Sequence, residues 1–96
     1  MIMPIDNINN ADNSEQVTSK GVLQNLEIFT TGKLKDKMCT FDLVDENKKT
    51  EVLVFPEVFS KIEGRIKAGI TVEVKGRIES ERGEKRLIAE KVVVLG

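Results

Sequence analysis

The sequence contains no histidine, no tryptophan and no tyrosine, and a single cysteine, Cys39. Each absence removes a class of chemistry. Without histidine, a Ser/His/Asp or Cys/His nucleophilic site is excluded, and the commonest general base and metal ligand are both missing. One thiol can form no intramolecular disulfide and no cysteine-based zinc site, and it fits a reducing, cytoplasmic setting. No apolar run approaches the ~20 residues that span a bilayer. The opening Met1-Ile2-Met3-Pro4 lacks the basic flank and apolar stretch of a secretory signal. What remains calls for no cofactor, metal or membrane, and supports no enzyme built from this chain alone. Binding is favoured over catalysis.

What is present is enough for one compact core: 96 residues, 40% hydrophobic and 32% charged. The net charge of −1 averages two unlike segments. Residues 1–16 carry Asp6, Asp12 and Glu15 with no cation, whereas residues 17–96 carry all 15 basic residues against 13 acidic ones, a net +2. The first segment is rich in asparagine and lacks helix or strand periodicity, so 1–16 reads as a flexible tail or linker and 17–96 as the domain. A tail in front and an abrupt strand-like ending, Val92 to Leu95, suggest a domain cut from a longer protein.

Strand patterns dominate the domain. Val17 to Phe29 is a long β-rich run, with Gly21 inside it predicting a bulge or bend. After a polar loop, Lys37 to Val44 alternates: Cys39, Phe41 and Leu43 fall on one face, Met38, Thr40 and Asp42 on the other. Asp45 to Lys49 reads as a hairpin turn, which accounts for Asp45 and Glu46 without invoking a metal site. Thr50 to Phe55 is a third strand with Val52 and Val54 inward. From Pro56, the positions Val58, Phe59, Ile62 and Ile66 recur at helical spacing, with Gly69 as a stop and Gly64 weakening the interior. Ile70, Val72, Val74, Gly76 and Ile78 then alternate with Thr71, Glu73, Lys75 and Arg77. Lys85 to Leu95 makes the last strand, after a glycine turn at Glu81 to Glu84. Three strands, one short helix and two strands predict an all-β, five-stranded OB-fold Greek-key barrel, with the helix between strands 3 and 4 plugging one end.

Single-stranded nucleic acid needs cations along its phosphates and flat side chains against its bases. Lys33, Lys35 and Lys37 sit in the loop between strands 1 and 2, opposed by Asp36. Arg82, Lys85 and Arg86 sit in or beside the loop between strands 4 and 5, opposed by Glu81 and Glu84. In an OB barrel these loops flank the face of strands 2 and 3, so the two clusters should converge. Phe41 and Phe59 fall at core positions; Phe29 and Phe55 are the candidate stacking residues. Met38, Thr40 and Arg77, at outward positions, complete the candidate interface. Cys39 reads as a small buried hydrophobe.

Two blocks carry a family resemblance. TGKLKDKMCTFDLVDENKKTEVLVFP runs from Thr31 to Pro56, and VEVKGRIESERGEKRLIAEKVVVL runs from Val72 to Leu95. Together they resemble the OB domain near the C-terminal end of the bacterial DNA polymerase III alpha subunit. The matching features are a glycine- and lysine-bearing loop, Met38 leading strand 2 and the acidic turn at Asp45-Glu46. Glu51 to Pro56, Val74 to Arg77 and Gly83 to Glu90 extend the likeness. Aspartyl- and lysyl-tRNA synthetase anticodon domains share parts of it. Thr40 departs from the pattern, standing where relatives often place an aromatic, with Phe41 one position later on the core side. The turn also lacks the family's usual glycine. The resemblance implies a single-stranded DNA-binding module contributing template binding in replication, within a larger nucleotidyltransferase whose chemistry lies in other domains. Its expected partners are single-stranded DNA, held weakly, and other polymerase domains or replisome proteins. The alternatives are a protein-interaction OB domain and a tRNA-binding one.

Overall fold

The structure is a computed structural model that describes residues 15–32, 36–81 and 84–96. Lys33, Lys35 and Arg82, and all of the expected tail before Glu15, lie outside the described residues. Among the described residues five strands and one helix follow in order: β1 (Gln16–Thr31), β2 (Asp36–Asp45), β3 (Lys48–Val54), α1 (Pro56–Ile62), β4 (Thr71–Glu81) and β5 (Glu84–Val94). They close into a barrel in the order β1-β2-β3-β5-β4. This is the OB architecture that the element order predicted.

The barrel closes because β1 serves two neighbours. Its first half pairs with β4 and its second with β2, and Val22 is shared, opposite both Thr71 and Val44. All pairings are antiparallel except β3 with β5, where Val52 meets Leu87 and Leu53 meets Ile88. That parallel contact follows from α1, which carries the chain across one end so that β5 returns alongside β3. The alternation in the sequence sets the interior: Cys39, Phe41 and Leu43 from β2, Val52 and Val54 from β3, and Val72, Val74 and Ile78 from β4 are all fully buried. Phe59 and Ile62 of α1 cover the open end.

Three local features differ from the sequence reading. The irregularity in β1 lies between Gln24 and Glu27, where Asn25 takes a positive φ of 53°. Gly21 is needed instead for close approach: a Cβ there would stand 2.6 Å from the Val44 carbonyl oxygen. The helix ends at Ile62 rather than near Gly69, because Gly64 adopts a φ of +86° and turns the chain out of the helix. Ile66 still packs against the core, from beyond the helix. In the hairpin, Asp45 pairs with Lys48, leaving a two-residue turn in which Glu46 takes the positive φ (55°) that a glycine would usually supply.

Burial leaves Cys39 with no exposed surface and pushes its thiol from an ordinary value of 9.0 up to about 11. The unfolded chain therefore releases this proton near pH 9 while the folded one retains it until about pH 11. Between those limits the unfolded state binds fewer protons, so stability must fall as pH rises. In urea melts at pH 8, 9, 10 and 11, Cys39→Ala is expected to lose less stability over this range than the parent. Parallel slopes for the two proteins would mean that the thiol does not report folding.

Candidate nucleic-acid interface

The outer surface of β1, β2 and β3 is organised in cross-strand rows. Register sets Phe29 opposite Met38, and Glu27 opposite Thr40. Across the next boundary Thr40 meets Leu53, Asp42 meets Glu51, and Cys39 meets Val54. One step past that last pair, Met38 comes level with Phe55, which continues the extended backbone of β3 before α1 begins. The result is a row Phe29–Met38–Phe55 at one end of the face. Its two rings are exposed, at 40% and 42%, while Met38 between them is 7% exposed and forms a floor. Phe29 and Phe55 stand about two strand spacings apart, roughly 10 Å, so each ring can take its own base.

The next row runs Glu27–Thr40–Leu53 and continues through Ile88 of β5 to Arg77 of β4. Below it, Asp42 and Glu51 face each other, and Asn25 donates from Nδ2 to Asp42 Oδ2 at 2.8 Å. Asn25, Glu27, Thr40, Asp42 and Glu51, with Phe41, line a shallow recess of about 190 Å³. The middle of the face is thus acidic. Alternation places Asp42, Glu51 and Leu53 outward, whereas Glu27 joins them only because the bulge between Gln24 and Glu27 reverses the parity of β1, so register gathers Glu27, Asp42 and Glu51 around one recess.

The described candidate cations are all engaged. Lys37 has the parity of Cys39, and its Nζ reaches Glu63 Oε2 just past α1, at 3.2 Å. Arg77 pairs through Nε with Glu79 Oε1 (3.3 Å) and through Nη1 with Glu90 Oε2 (3.7 Å). Arg86 Nε lies 3.6 Å from Glu51 Oε1, and the neighbouring Lys85 is half-buried and also engaged. Surface pairs of this kind are worth about 0–1 kcal/mol, so a phosphate can replace the carboxylate at small cost. Of the two expected clusters, the described members Lys37 and Arg86 lie at opposite ends of the face. Lys37 stands by the aromatic row at one end, and Arg86 by Glu51 at the other, because β3 and β5 run parallel and bring the start of β5 beside the start of β3.

Comparison with known proteins agrees with this architecture. The chain matches the tRNA_anti-codon family, described as an OB-fold nucleic acid binding domain, over residues 17–95. No curated protein matches the sequence. Among solved structures, the hypothetical protein ygiW from E. coli is similar with a TM-score of 0.72, over 99% of this chain and 90% of that one. The two are 11% identical, so this likeness is one of fold alone. With the family matched across the whole barrel, the chain belongs to the OB-fold nucleic acid binding domains of the tRNA_anti-codon family.

Proposed function

We propose that this domain is a single-stranded DNA-binding module of a replicative polymerase of the DNA polymerase III alpha type, gripping template strand during replication. The observation that carries the binding reading is the row Phe29–Met38–Phe55. It supplies two exposed rings over a buried floor, and Lys33 and Lys35 fall between β1 and β2 in the sequence. Bases stack on the rings, while the phosphates follow Lys33, Lys35 and Lys37 against the repulsion of Glu27, Asp42 and Glu51 nearby. The polymerase assignment rests on the resemblance of the two sequence blocks, and nucleotidyl transfer belongs to other domains of such a protein. Two rings and a few lysines predict micromolar or weaker, salt-sensitive binding.

Titrating the domain with oligo-dT while amide shifts are followed tests the reading. Shifts should centre on Phe29, Lys37, Met38, Thr40 and Phe55 and shrink with added salt. A flat response at millimolar oligonucleotide would sink it. Removing charge from the recess by Asp42→Asn with Glu51→Gln should tighten binding by about 3- to 10-fold, since each carboxylate repels a phosphate passing nearby. Unchanged affinity would mean that the strand does not cross this face. The acidic recess favours a second reading, a protein-interaction domain that receives a basic segment within the replisome. A tRNA-binding role would show instead as preference for tRNA over oligo-dT in the same titration.

A further inference from the structure

A second surface runs along the C-terminal half of β5 and adjoins the Phe55 end of the aromatic row, where Phe55 lines a neighbouring recess with Val58, Lys61 and Glu90. A groove of about 480 Å³ is walled on one side by Val58, Lys61 and Ile62 of α1, with Arg65 beyond it, and on the other by residues 90–94. Five consecutive strand residues line it, which means that the groove faces the edge of β5 and not one of its faces. On that side β5 pairs with β3 only at Leu87 and Ile88. Beyond Ile88, no described strand continues the ladder.

The hydrogen-bonding direction of this edge follows from one bond. Leu95 N donates to Thr71 O at 2.8 Å, so Leu95, and by alternation Val93 and Lys91, direct their main-chain groups toward β4. Val92 and Val94 direct theirs into the groove. An open edge with apolar side chains beside it is a template for an added strand. Val93 and Val94, both in the groove lining, are each 38% exposed, apolar surface that an incoming strand would cover.

The charge of the groove selects the occupant. Lys61, Arg65 and Lys91 surround it, and among the described residues no ion pair engages any of them. Its one acid, Glu90, already serves Arg77 and accepts from Gln16 Nε2 at 3.2 Å. A second copy of the chain docking by twofold symmetry would bring these cations against their own copies, which is unfavourable. Nucleic acid would find cations but no ring along residues 91–94, since Phe55 lines only the neighbouring recess at the Val58 end. We propose that the groove between α1 and the open edge of β5 binds an extended, acidic segment of a partner protein by strand addition. Its main chain pairs with Val92 and Val94, alternate apolar side chains rest on Val58 and Ile62, and carboxylates meet Lys61, Arg65 and Lys91.

The test uses the full chain and a capped hexapeptide of alternating glutamate and valine, with the lysine–valine counterpart and oligo-dT as comparisons. The glutamate peptide should shift amides of residues 58–65 and 90–95 and slow hydrogen exchange at Val92 and Val94. Lys61→Glu with Arg65→Glu, both exposed positions, should weaken the peptide at least about fivefold while leaving the rest of the spectrum unchanged. Val94→Pro, which removes one outward N–H near the end of the strand, should weaken it as well. The proposal is overturned by no response at millimolar peptide or by an equal response to the lysine peptide. It is equally overturned by oligo-dT shifts at Arg65 and residues 91–94, which lie outside the Phe55 recess, or by a concentration-dependent dimer whose shifts map to this groove.

Discussion

Alanine at Gly76 is expected to cost the domain about 3 kcal/mol or more, the upper end of what overpacking usually costs. Gly76 lies in β4 opposite Ala89, immediately after the register shift that follows Lys75. A Cβ at this position would fall on the carbonyl group of Ile88 and the Cα of Ala89. These are main-chain atoms of the neighbouring strand, so no rotamer change can relieve the contact. Either β4 and β5 move apart or the bulge rearranges. Both outcomes disturb the seam that holds Val72, Val74 and Ile78 over the core. For a domain of this size each kcal/mol lowers the melting temperature by about 4–8 °C, which gives a fall of roughly 12 °C or more. Gly32→Ala is the comparison: its φ is +57°, yet a Cβ there has open space around it. Only the strain of the left-handed conformation applies, about 1–2 kcal/mol. If Gly76→Ala melted within a few degrees of the parent, the β4–β5 seam would be looser than its geometry implies.

The barrel was legible because burial in a strand has a period of two. Cys39, Phe41 and Leu43 announce their shared face whatever the neighbouring strand does, and so do Val72, Val74 and Ile78. Features decided by the meeting of two strands were not legible. A glycine within a strand can mark a bulge or a close approach, and Gly21 alone does not say which; the contact with Val44 decides it. The bulge itself falls at Asn25, a residue type that tolerates positive φ without announcing it. The helix was overextended because Ile66 keeps the helical spacing and does reach the core, although the chain has already turned at Gly64.

For the site, the sequence placed Phe55 opposite in parity to Val52 and Val54, and the structure finds it exposed. That Phe29, Met38 and Phe55 share one row required two registers and the bulge in β1, none of which is written locally. The charge balance was hidden in the same way. Glu79, two positions from Arg77, is a partner that the strand pattern offers, whereas Glu90 of β5 and Glu51 beside Arg86 become partners only when the barrel closes.

The largest functional effect is expected from Phe29→Ala combined with Phe55→Ala, which should take oligo-dT binding out of measurable range. Stacking contributes about 1–3 kcal/mol per base, and the two rings stand far enough apart for their losses to be nearly additive. A starting affinity that is micromolar at best leaves little to lose. Each single substitution should weaken binding at least about fivefold. Both side chains are substantially exposed, so the thermal midpoint should move little and lost binding cannot be ascribed to unfolding. Salt dependence separates stacking from charge. Removing one ring should lower the affinity at every salt concentration by the same factor and leave the slope unchanged, because the cations remain. Lys37→Glu should flatten the slope, at the cost of its pair with Glu63. A double phenylalanine variant that bound oligo-dT like the parent would show that phosphate contacts alone hold the strand. The aromatic row would then belong with the acidic recess beside it, as part of a surface for a protein partner.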